Sequence, residues 1–155
     1  MSPVLIKRFN NKKPWGTFAV INSDVTSTIN YLVVDGGSGD KINGIPITGM
    51  FAFHNSDVEI TSSTFINSGD DDALNIKMSA GKVENCLFQD NFSDAFDLDF
   101  AQGFFEIKNN NFEDNGGDSV DLSFSKVLIK DNEIVSSFDK GISAVSYTHL
   151  TLPTN

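Results

Sequence analysis

The chain has 155 residues, a net charge of −10 and 39% hydrophobic residues, which fits one folded domain and argues against disorder. That acidity disfavours nucleic acid and anionic membrane as partners, because their phosphates would be repelled, and no apolar run reaches membrane-spanning length. A lone cysteine, Cys86, excludes an internal disulfide framework and a cysteine-based zinc site.

The N-terminal "MSPVLIKRFNNKKPWG" lacks the apolar core of a signal peptide. Trp15 then opens "WGTFAV", expected at the start of a strand as core or end-cap packing. "FAVINSDV" (18–25) nearly repeats as "FAFHNSDV" (51–58), 33 residues later. Between them, "DGGSGDKING" (35–44) has no P-loop lysine and no Rossmann spacing, and is expected as an inserted loop.

From Val58 onward four units align. Their first apolar column is Phe65, Phe88, Phe112 and Ile134, spaced 23, 24 and 22 residues apart. Ile60, Val83, Ile107 and Ile129 form a second column. Leu74, Phe96, Val120 and Ile142 form a third, and Ile76, Leu98, Leu122 and Ala144 a fourth. Within each unit apolar and polar residues alternate, as in "AFDLDF" (95–100), the pattern of a strand with one buried face. Two or three short strands per unit, broken by Asn, Gly, Asp or Ser, make one turn of a parallel β-helix. An all-β solenoid of about six coils of 22–24 residues is expected over residues 1–144. After Ala144 the columns fail. "VSYTHLTLPTN" (145–155) resembles a read-through scar, so these residues are expected to be a non-native or disordered tail and its His149 is given no role.

Units such as "NNNFEDNGGDSVDL" (109–122) resemble right-handed parallel β-helix repeat proteins of the pectin-lyase-like superfamily, over roughly residues 18–144. The resemblance implies the right-handed fold and a bacterial extracellular or cell-surface setting, as part of a longer polypeptide. It also implies a range of roles, from polysaccharide lyase and glycoside hydrolase to adhesin and non-catalytic surface protein. "GDDDAL" (69–74) is similar to the "G-D-D-C" strand of polygalacturonase-type hydrolases. The chain lacks the accompanying "N-T-D", "G-H-G" and "R-x-K" motifs. Its one arginine, Arg8, leaves no counterpart for the arginine base of pectate lyases.

Two acidic sets are candidate sites. Asp72, Asp94 and Asp118 fall at equivalent positions of three consecutive coils, with Lys140 in the fourth. Stacked carboxylates about 5 Å apart favour Ca²⁺ or raise one another's pKa. Asp in such a turn also bonds nearby backbone, without any metal. Calcium is the one ion this column suggests, and no other cofactor is expected. Asp97, Asp99 and Asp121 lie on an outer strand face. Asp97 and Asp99 are about 6.6 Å apart by strand geometry, near the spacing of inverting glycosidases, although every strand spaces alternate residues so. They are catalytic candidates, with a solvated strand face screened by Lys77 as the plainer reading. His54, without a nearby His or Cys, reads as a surface histidine. Cys86, in a column with Ser63, Asn110 and Asn132, reads as an inert thiol within a coil-to-coil amide ladder.

The leading expectation is a non-catalytic β-helix segment that binds polysaccharide or a surface protein along an elongated acidic face. The alternatives are a uronate-directed lyase or hydrolase assisted by calcium, and a purely structural stalk.

Overall fold

The computed structural model describes residues 2–10, 12–146 and 149–152. Strand β1 (Val4–Lys7) precedes the long β2 (Phe18–Asn30) and β3 (Leu32–Asp35). The hairpin β4 (Asp40–Ile42) and β5 (Ile45–Ile47) then leads into the long β6 (Gly49–Thr61) and β7 (Thr64–Ile66). Three regular turns follow: β8 (Asp72–Lys77), β9 (Gly81–Glu84) and β10 (Leu87–Gln89); β11 (Asp94–Asp99), β12 (Phe104–Lys108) and β13 (Asn111–Glu113); β14 (Val120–Ser123), β15 (Lys126–Lys130) and β16 (Glu133–Val135). Strands β17 (Ile142–Val145) and β18 (His149–Thr151) close the series. No described residue is helical.

Apart from the hairpin, every pairing is parallel and joins one turn to the next, which makes a three-faced β-solenoid. The first face is the six-stranded sheet β1-β3-β7-β10-β13-β16. The second stacks the front halves of β2 and β6 with β8, β11, β14 and β17, and the third stacks their rear halves with β9, β12, β15 and β18. Complete turns number fewer than the six expected, because β1 at one end and β17 with β18 at the other are partial.

The predicted columns are the interior. Phe65, Phe88 and Phe112 are buried in register and stack with ring centroids 5.0 and 4.9 Å apart. Each corner places a residue in the left-handed backbone region, which Asn and Asp tolerate best. Asn67, Asp90 and Asp114 hold it between the first and second faces, and Asn85, Asn109 and Asp131 between the third and first. Inside the corners, side chains bond from turn to turn. Asn91 Nδ2 donates to Asn115 Oδ1 at 2.8 Å, and Asn110 Nδ2 to Asn132 Oδ1 at 3.0 Å. Cys86 belongs to this second ladder; it is buried, and burial pushes its thiol up to about 11.

Two stretches differ from expectation. Part of segment 35–44 forms the antiparallel hairpin, turned at Asn43 and Gly44 with φ of 51° and 82°; Asn-Gly suits the paired positive φ angles of a two-residue hairpin turn. This excursion explains the 33-residue spacing. In the segment 145–155, Val145 ends β17, and His149–Thr151 pairs with Lys126–Leu128 on the third face. The His-Leu-Thr alternation puts Leu150 against the core. Residues 147–148 and 153–155, also in the expected tail, lie outside the described residues.

Candidate functional site

The second face carries two outward columns. One runs Ala52, Asn75, Asp97, Asp121 and Ser143, and the next His54, Lys77, Asp99 and Ser123. Outward residues of a solenoid are ordinarily wet, yet Asn75 is fully buried and Asp97 is 9% exposed. Neighbours one rung apart cover one another. Gly49, in register with Asp72, makes room beside the column, since a Cβ there would lie 2.6 Å from that of Asn75.

Asn75 is the hub of a hydrogen-bonded row. Its Nδ2 donates to Asp97 Oδ2 at 2.5 Å and to Asp72 Oδ2 at 3.0 Å. Its Oδ1 therefore accepts from His54 Nε2 at 2.6 Å, which leaves Nδ1 as the acceptor nitrogen of His54. Lys77 Nζ lies 3.0 Å from Asp99 Oδ2 and 3.9 Å from Asp97 Oδ2. One lysine thus faces several carboxyls. Burial, then repulsion from Asp72 and Asp99, pushes Asp97 up to about 8. Burial likewise pushes Asp72 up to about 7, against the neighbouring Thr48 hydroxyl. Burial lowers His54, and the Asn75 bond opposes it. Burial alone would lower Lys77 too, but the bond to Asp99 and the charges of Asp97, Asp99 and Asp72 raise it. At neutral pH the row therefore holds a proton on Asp97 beside a neutral imidazole.

The corner column has a different geometry. Asp94 Oδ1 accepts the Asp118 backbone N–H at 2.7 Å, and Asp118 Oδ1 accepts that of Lys140 at 2.9 Å and its Nζ at 3.3 Å. Each carboxylate ties its turn to the next. Asp72 turns away from that chain toward Asn75. Burial pushes Asp94 above its usual range, against the Asp118 N–H. Among the described residues, no three His, Cys, Asp or Glu side chains are grouped to hold a metal ion. Asp70 and Asp71 are exposed on a bulge, and with the β4–β5 hairpin they line a cavity of about 380 Å³.

Beside Asp99 and Ser123, the corner between the second and third faces continues the column of left-handed residues. It begins with Asn22 and Asn55 and continues with Met78, Phe100 and Phe124, at φ of 52°, 54° and 50°. Phe100 and Phe124 stack at 4.7 Å with an interplanar angle of 6°, and remain 48% and 44% exposed.

Sequence reasoning placed Asp97, Asp99 and Asp121 on one outer face and Asp72, Asp94 and Asp118 on one corner. It put Asn75 in one ladder with Asp97 and Asp121 and read His54 as a surface histidine, but it missed their contact, which spans 21 residues and depends on register. It also missed Phe100 and Phe124. Aligning the corner position itself, where Asn gives way to Phe, would have flagged them.

The profile for the right-handed β-helix region matches residues 9–155. Comparison with curated proteins returns no match. The parallel three-faced stack and this match over most of the length agree, and the chain belongs to the right-handed β-helix family.

Proposed function

We propose that the outer second face is a non-catalytic binding surface for a neutral polysaccharide, on a protein that works outside the cell. The left-handed corner column carries this reading. Holding a bulky residue in that conformation costs on the order of 1–2 kcal/mol, whereas Asn tolerates it. Phe100 and Phe124 incur that cost twice, and their mutual stacking offsets only about 0.5–1.5 kcal/mol. They also stay half-exposed, so burial does not account for them, and strained residues collect where a surface meets a ligand.

Adjacent Asp99, Ser123 and Lys77 supply acceptors and donors for hydroxyls, while the phenyl faces suit the C–H face of a sugar ring. A single-residue-wide aromatic strip fits a thin chain better than a broad protein surface. The net charge of −10 weighs against a polyuronate. Calorimetric titration with neutral β-glucan and with polygalacturonate tests this. Binding of the glucan, weakened about 3- to 10-fold by Phe100→Asn or Phe124→Asn, is expected. Equal binding by wild type and both variants would remove the proposal.

A proton-holding Asp97 joined through Asn75 to a neutral His54 favours a second reading, acid–base cleavage of the bound chain. Release of reducing or unsaturated ends from the glucan or polygalacturonate, abolished by Asp97→Asn, would support it.

A further inference from the structure

At the opposite edge of the second face, the corner from the first face bears another column. Backbone bonds from Phe92 to Ser68, from Gly116 to Asn91 and from Phe138 to Asn115 place Gly69, Phe92, Gly116 and Phe138 one above another. Phe92 and Phe138 are 71% and 86% exposed, among the most exposed large apolar side chains of the molecule. They stand two rungs apart, about 9.6 Å, with no side chain between. We propose that the Phe92–Gly116–Phe138 corner is a second ligand site, a slot that admits one pyranose ring between two phenyl groups.

The protein's own stacks set the fit. Rings one rung apart lie 5.0 and 4.9 Å apart in the core and 4.7 Å apart at Phe100 and Phe124. Phe92 and Phe138 thus hold the outer two positions of a three-rung column whose middle position, Gly116, has no side chain. A ring inserted midway sits about 4.8 Å from each, inside the range of favourable aromatic contact. The opening is built into the backbone: a Cβ on Gly116 would lie 2.1 Å from the Phe92 carbonyl oxygen, so no larger residue fits. Gly116 itself is exposed, which leaves the slot open to solvent.

A pyranose is the ring this setting suits. Its C–H faces suit the negative phenyl faces, while its hydroxyls suit the polar residues that neighbour the corner along the chain, Ser93, Asp114, Asp139 and Lys140. A wholly apolar ring would leave those groups without new partners, and an anionic one would meet the acidic surface. The site uses none of the residues of the outer face, so it stands or falls apart from that reading.

Site-specific 4-fluorophenylalanine at 92 and at 138, followed by ¹⁹F NMR, tests the slot directly. The probes are neutral β-1,4-linked hexaoses of glucose, N-acetylglucosamine, mannose and galactose. With at least one of them, both resonances are expected to shift along a single isotherm. Phe138→Ala should then weaken the response at 92 by about 5-fold or more, while Phe100→Asn leaves it unchanged. Both substituted positions are exposed, so the fold is retained and circular dichroism checks it. No shift at either position up to about 10 mM of every hexaose, or a shift at one position alone, overturns the proposal.

Discussion

Asn75 makes three side-chain bonds and is fully buried on what topology makes an outer face. Two of its partners are carboxyls that ionise only near or above neutrality, at about 7 for Asp72 and about 8 for Asp97. A carboxyl raised in the folded state binds its proton more tightly there than in the unfolded chain. Its contribution to stability is therefore full below the ordinary value of about 4 and is lost as pH rises through about 8. Thermal unfolding of the wild type should fall in midpoint between pH 5 and pH 9. Asp97→Asn, which cannot ionise, should flatten that fall and be more stable than wild type at pH 9. A wild-type profile flat across this window would mean that the carboxyls ionise normally. Phe100 and Phe124 allow a second prediction at this scale. The double change to Asn should raise stability by about 1 kcal/mol in urea titration, because Asn suits the left-handed corner, even as ligand affinity falls. Gain of stability with loss of binding is expected of a functional residue and not of a structural one.

Each turn buries one apolar column per strand and secures its corners with amides, so the strands depend on their neighbours more than on local propensity. Asn115 shows how. Its Oδ1 accepts from Asn91 Nδ2 and its Nδ2 donates to the Phe88 carbonyl at 3.2 Å, all out of water. Asn115→Ala removes the acceptor of the Asn91 backbone N–H and Nδ2 and a donor to the Phe88 carbonyl, all buried, at about 1–3 kcal/mol for such a group. Urea unfolding is expected to show a loss of about 2–4 kcal/mol; a loss under about 0.5 kcal/mol would mean that water replaces the ladder. The charges on the second face work the other way. Asp97 stands directly across from Asp121; two charges so paired would destabilise the sheet, and that repulsion is, after burial, one of the causes that hold the proton on Asp97. The element therefore carries a liability that folding alone does not require.

The whole molecule is electrically lopsided. Four of its 11 basic residues, Lys7, Arg8, Lys12 and Lys13, lie in the first 13 positions, ahead of every acidic residue. The remaining chain is strongly acidic, and its stacked turns bring those charges within a Debye length of one another. Self-repulsion in such a body is screened by salt, so the melting temperature should rise by several degrees between about 20 mM and about 500 mM NaCl. A fall would mean that attractive pairs such as Lys77 with Asp99 outweigh the net charge.

The periodic part of this architecture can be read from the residues alone. A solenoid must put like residues at like phase to continue its core, so Phe65, Phe88 and Phe112 announce both the turn length and the inward side. The same phase argument placed the six candidate aspartates on their corner and face. Asn43-Gly44 is a hairpin signal too, but the turn-rich segment 35–44 is expected from the sequence only as an inserted loop. What tertiary structure decided is the state of each side chain once turns are stacked. That His54 meets Asn75, that Asp97 is dry on an outward column, and that Phe92 and Phe138 flank an empty rung depend on contacts between turns. Register sets those contacts to a fraction of an ångström, whereas sequence spacing carries only the phase. Period alone announced a parallel solenoid and its core; stacking gave the acidic face its protons and its apolar edges.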